Sequence, residues 1–163
     1  MSVITIYLIF SMLAVLWFDI TRYIIPNWLV GLMLGAYPVA VLMAHSHVDW
    51  KMAVVGMTVV LVCGYIIFAM KWMGGGDIKL ITAGSLWVGL PNIPDFIFIL
   101  TLIGGVFAVG VWGIRKVLPF LPKKPDAAPL PRILRDGEPV PYGVAIAFGF
   151  LLMLCNGRIP AAI

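Results

Sequence analysis

Two aspartates stand where a carboxylate is costly. Asp19 closes an apolar run in LWFDITRYIIPN, and Asp77 follows three glycines in MKWMGGGDIK. Either one alone reads as a hydrated helix end, and Asp77 also as a first-turn acid favoured by the helix dipole. Two carboxyl groups held close do more, because like charges cannot both ionise cheaply and so share a proton. The ionised partner can take a proton from water as it attacks a peptide carbonyl. The protonated partner can polarise that carbonyl and then help the amine leave. This chemistry needs no metal and no cofactor, and none is expected.

Other chemistries find less support. There is no HExxH for zinc, and the only histidines, His45 and His47, form an incomplete ligand set in HSHVD. Ser85 in TAGSLW has no base within its own span and reads as a small packing residue. Cys63 and Cys155 lie in separate apolar runs without CxxC spacing, which implies neither a disulfide framework nor a metal site.

The elements that must position the two acids are set by hydropathy. Of the 163 residues 63% are hydrophobic and 11% charged, with a mean hydropathy of +1.09. Soluble domains carry about a quarter charged residues, so the chain is expected to be an all-α integral membrane protein forming a single domain over residues 1–163. Apolar runs at about 3–18, 28–44, 53–70, 78–90, 96–114 and 142–156 predict about six transmembrane helices. The fourth and sixth are short, and the fourth reaches a spanning length only if WMGGGD also lies within the membrane boundary. The N-terminus lacks a basic region and a cleavage pattern, so it is read as a retained span. Trp17, Trp28, Trp50, Trp72, Trp87 and Trp112 fall near span ends, as interfacial anchors do.

If six spans alternate, one side receives Arg22, Lys71, Lys79, Arg115, Lys116, Lys123, Lys124, Arg132 and Arg135, and the other only Lys51 and Arg158. That bias places the first group in the cytoplasm and both termini outside. The loop at about 115–141 holds seven of the twelve prolines and six of the eleven basic residues. Proline at this density favours extended backbone, so the loop is expected to be a solvated tether resting on anionic lipid, with substrate guidance as the alternative. Asp49 and Asp95 fall in outer loops, while Asp126, Asp136 and Glu138 lie among the cations of the long loop. Only Asp19 and Asp77 combine a membrane-boundary position with the same side, and the glycines beside Asp77 allow a neighbouring helix or an extended substrate strand to approach closely.

These residues resemble a known family. GGGD fits the GxGD pattern of intramembrane aspartyl proteases. Asp19 followed by Ile25-Pro26-Asn27, Lys79 two residues after Asp77, and Pro141-Tyr142-Gly143 before the last span are together similar to type IV prepilin peptidases. The similarity extends over essentially the whole chain in motif order, spacing and span count. It implies that Asp19 and Asp77 are the catalytic pair and that Gly74, Gly75 and Gly76 shape the loop carrying Asp77. Lys79 would orient or tune the site, and Pro26 and Asn27 would start the second helix, with Asn27 able to cap it. The implied substrate is a prepilin-like precursor with a hydrophobic segment, cut at the cytoplasmic face of the bacterial inner membrane, typically after a glycine and just before that segment. The chain starts directly in a span without paired CxxC motifs, so the resemblance is to the short, peptidase-only branch of Flp (tight-adherence) pilus systems, without N-methyltransferase activity. Since a basic leader should not dock on a basic loop, the loop's cations are expected to meet lipid headgroups or an acidic part of the substrate. Membrane lipid is the other expected partner, and nucleic acid is not. Alternative readings are a preflagellin-type or other GxGD protease, or a small transporter or assembly subunit using both aspartates as ion ligands. The Pro26-Asn27 and Pro141–Gly143 framing, and the lack of inverted repeats, weigh against the transporter.

Overall fold

The computed structural model describes residues 2–44, 47–118, 131–135 and 137–162. His45, Lys123, Lys124, Asp126 and Asp136, all weighed above, lie outside the described residues. Among the described residues there are six α-helices and no strand: α1 (Val3–Arg22), α2 (Asn27–Met43), α3 (Trp50–Ala69), α4 (Gly75–Val88), α5 (Ile93–Val117) and α6 (Gly143–Cys155). Each matches one apolar run. Local chemistry sets several ends: Ser2 accepts the Thr5 amide at the start of α1, and Asp49 accepts the Met52 amide at the start of α3, each at 3.1 Å. Helix α1 continues past Asp19 for one more turn to Arg22, so Asp19 lies within the helix and does not terminate it.

α1, α3 and the stretch Leu90–Val117 are long and apolar enough to cross a membrane. Their outward side chains, such as Phe10, Val62, Phe98 and Val109, are exposed, and this is surface suited to lipid. α4 differs. Its 14 residues rise only ~21 Å at 1.5 Å each, short of the ~30 Å hydrocarbon layer. It does not meet lipid along most of its length, because every residue from Leu80 to Val88 is buried among α2, α3, α5 and α6. A short helix is sufficient where protein, rather than lipid, surrounds it.

That central position corrects one expectation. Five of the tryptophans are exposed as interfacial anchors should be, but Trp87 is only 1% exposed. Its indole N–H donates to the Met33 carbonyl at 3.1 Å, and its ring meets Tyr37 edge-on, so it ties α4 to α2 in the core.

Small residues set how closely the helices approach. A Cβ on Gly64 would stand 2.6 Å from Ile78 of α4, and one on Gly56 equally close to Ile93 at the start of α5, so α3 lies against α4 and the start of α5 only because these positions lack a side chain. At the end of the bundle where α1 begins, the Ser2 and Thr5 hydroxyls donate to the Ala162 carbonyl, each at 2.9 Å. The two ends of the described chain therefore meet there. The opposite end is where α1, α3 and α5 finish and α2, α4 and α6 start.

Candidate active site

Three helix N-termini converge at that opposite end. Each carries about half a positive charge and several amides without helical partners, an environment that offsets the cost of placing acids near hydrocarbon. Asp19 is 4% exposed and lies in the last turn of α1, where the local dipole is unfavourable to an anion. It is held instead by α6: the Val144 amide donates to its Oδ2 at 3.0 Å, and the Gly143 amide also donates to it. A Cβ on Gly143 would be 2.7 Å from that same Oδ2. The glycine that opens α6 is thus required by contact with Asp19.

Asp77 occupies the third position of α4, with Gly74 as the N-cap. Its carboxylate folds back over Gly74, where an added Cβ would stand 3.1 Å from Oδ2. No hydrogen-bond donor among the described residues pins this carboxylate, and Asp19 is near enough for its charge to act on Asp77. The other glycines serve contacts rather than turns: Gly75 faces the Phe68 ring and Gly76 faces Ile25. The left-handed residue of this connection is Lys71, at φ 59°. Trp72 donates to the Ile67 carbonyl and Lys71 to that of Phe68, closing α3 in a Schellman turn.

Asp19 and Asp77 line one cavity of ≈ 710 Å³ together with Asn27, Gly74, Gly75, Gly76, Pro141 and Tyr142. Pro26 caps α2 without a side-chain bond. Asn27 does not cap α2 as expected; it is the first helical residue, and its Oδ1 accepts from Lys79 Nζ at 3.0 Å. Lys79 itself is exposed and outside the cavity lining, so it reaches the site only through Asn27. Among the described residues no third His, Cys, Asp or Glu joins the two acids in a group suited to a metal.

A family model described as the type IV leader peptidase family matches residues 6–109. The chain belongs to that family. Membership implies a peptidase acting on a prepilin-like precursor. None of the curated proteins and none of the solved structures matched the chain. The family match takes in both aspartates and the glycine loop but ends within α5, so Pro141-Tyr142-Gly143 is tied to the site by geometry alone.

The contacts of several residues at the site were not readable from sequence. Ile25 touches the segment that carries Asp77 and the one that holds Asp19: its Cβ faces Gly76 and its Cδ1 would be 3.0 Å from a Cβ on Gly143. Its position between Asp19 and Pro26 was the available signal. Tyr23, at φ 55°, turns the chain out of α1 and supports the Arg132 guanidinium 4.6 Å from its ring centroid. Arg115 donates to the Ile133 carbonyl at 2.7 and 3.1 Å and to the Glu138 carbonyl at 2.9 Å. The final part of the basic loop is therefore strapped to α5 and Tyr23, and its residues Pro139, Val140 and Pro141 form one wall of the cavity. This portion is a structural wall, where a solvated tether was expected.

Proposed function

We propose that the chain is a membrane aspartyl endopeptidase that removes the leader from prepilin-like precursors at the cytoplasmic membrane face. The observation that carries this reading is the pair of carboxylates on one cavity wall, 58 positions apart in sequence and held differently. Asp19 accepts backbone amides at the start of α6, a setting suited to an anion. Asp77 has no donor among the described residues and is the natural holder of the shared proton. In this scheme a water oxygen attacks the scissile carbonyl carbon while Asp19 takes a water proton and Asp77 protonates the carbonyl oxygen. The tetrahedral diol then collapses: Asp19 returns its proton to the amide nitrogen, the C–N bond breaks, and a diol hydroxyl proton goes back to Asp77. Both acids end as they began.

The cytoplasmic assignment is supported by Arg22, Lys71, Lys79, Arg115, Lys116, Arg132 and Arg135, which all belong to the end of the bundle that carries the cavity. The test is co-expression with a precursor bearing a short basic leader, a glycine and an apolar helix of about 20 residues, scored by gel shift. Loss of the leader is expected. Asp95→Asn should process normally, since Asp95 pairs with Arg158 at the far end of the bundle. An unshifted precursor in the presence of well-inserted wild-type protein would refute the activity.

A further inference from the structure

A second hollow of ≈ 340 Å³ adjoins the acid-lined cavity, and Met73 and Tyr142 border both. Its floor is Ile78 and Ile81 of α4, the residue next to Asp77 and the one a turn further along that helix. Val59 and Cys63 of α3 form one wall, and Ile97 and Thr101 of α5 form the other. Val59 and Cys63 are exposed, so the groove opens sideways between α3 and α5 onto the surface that faces lipid. A soluble peptide would gain little from such a lining. An apolar segment already in the bilayer could slide in laterally without crossing water.

We propose that this groove seats the apolar helix of the substrate, with the scissile bond just beyond it, at the Met73–Tyr142 threshold. The proposal rests on the leader-peptidase reading and adds where specificity arises. Three features fit one occupant. The groove is continuous with the site through two shared residues. On α3 it runs from Ile67 to Val59, about 12 Å at 1.5 Å per residue, which is roughly two helical turns. Its lining changes from apolar to acidic at the threshold, so it selects a chain that is a lipid-embedded helix on one side of the cut and polar, extended backbone on the other. Gly64 on the α3 wall lets that helix lie close to Ile78.

The native thiol of Cys63 provides the test. In a Cys155→Ala background, single cysteines are placed along the first ten residues of the precursor's apolar helix, and disulfide formation under mild oxidation is measured. Cross-links are expected at helical spacing within about two turns of the cut, and none in the reciprocal Cys63→Ala protein that keeps Cys155. No cross-link to Cys63, or equal capture by Cys155, would overturn the proposal. A second measurement compares Val59→Trp (Val59 53% exposed) with Leu61→Trp (Leu61 45% exposed, outside the groove). Val59→Trp should raise KM for the full precursor at least tenfold while leaving cleavage of a soluble leader peptide lacking the apolar helix unchanged. Leu61→Trp should change neither. Equal kinetics for both variants, or a parallel loss on both substrates, would defeat the groove. Failure of wild-type protein to cleave either substrate would instead defeat the activity reading.

Discussion

Gly143→Ala changes one methyl group at the point where α6 meets Asp19. The backbone there is helical and not left-handed, so alanine adopts it without strain and improves intrinsic helix propensity. The penalty is purely one of contact. The new Cβ would sit 2.7 Å from Asp19 Oδ2, about 0.7 Å inside the 3.4 Å limit of ordinary contact, and also 2.9 Å from Cγ. Ile25 Cδ1 would also stand 3.0 Å away, so the carboxylate, the nearer of the two, must yield. That movement stretches the 3.0 Å bond from the Val144 amide. A hydrogen bond to a charged group is worth about 1.5–3 kcal/mol, and roughly 1 Å of misplacement at a reacting centre costs about 10²-fold. The expected result is a fall in kcat of about 10- to 100-fold with KM nearly unchanged, measured on purified protein with a precursor in detergent micelles. Gly110→Ala, with nothing within 4 Å of an added Cβ, is the matched control on α5. Wild-type kcat in Gly143→Ala would refute the claim that α6 positions Asp19.

Arg115→Ala removes three hydrogen bonds to the Ile133 and Glu138 carbonyls and frees the wall formed by Pro139–Tyr142. Loss of about 1–1.5 kcal/mol of positioning would lower kcat/KM about 5- to 10-fold, and an unchanged value would show that the strap is idle. Lys71→Gly relieves a left-handed residue at φ 59°; thermal unfolding should shift up by roughly 2–4 °C, the equivalent of about 1 kcal/mol, and a lower Tm would contradict the turn assignment. For topology, a cysteine at position 47 should react with an impermeant maleimide added to intact cells, and one at position 116 should not, after Cys63 and Cys155 have been replaced. The reverse pattern would invert the orientation.

Hydropathy alone carried the six helices, because lipid imposes one length scale and one secondary structure on every apolar run. It could not place α4 inside the bundle. That burial depends on α3 lying against it through Gly64, and Trp87 looked like an anchor because a span end is normally at the interface. The meeting of Asp19 and Asp77 was readable because the distribution of Lys and Arg fixes which helix ends share a side. Their unequal support was not, since the Val144 amide is a backbone group with no sequence signature. Asn27 looked like a cap, but Lys79, 52 residues away, claims its side-chain oxygen. The wall built from Pro139 to Tyr142 depends on Arg115 and Tyr23 reaching across the site, contacts that no local pattern encodes.

Paired Asn substitutions measured on purified protein bear most directly on the dyad. Asp19→Asn and Asp77→Asn should each lower kcat for precursor cleavage by at least ~10³-fold, and the double variant should be no slower than either single one, as expected of two groups acting in one step. Either single variant retaining cleavage within tenfold of wild type, while properly inserted, would show that the two carboxylates do not work as a pair.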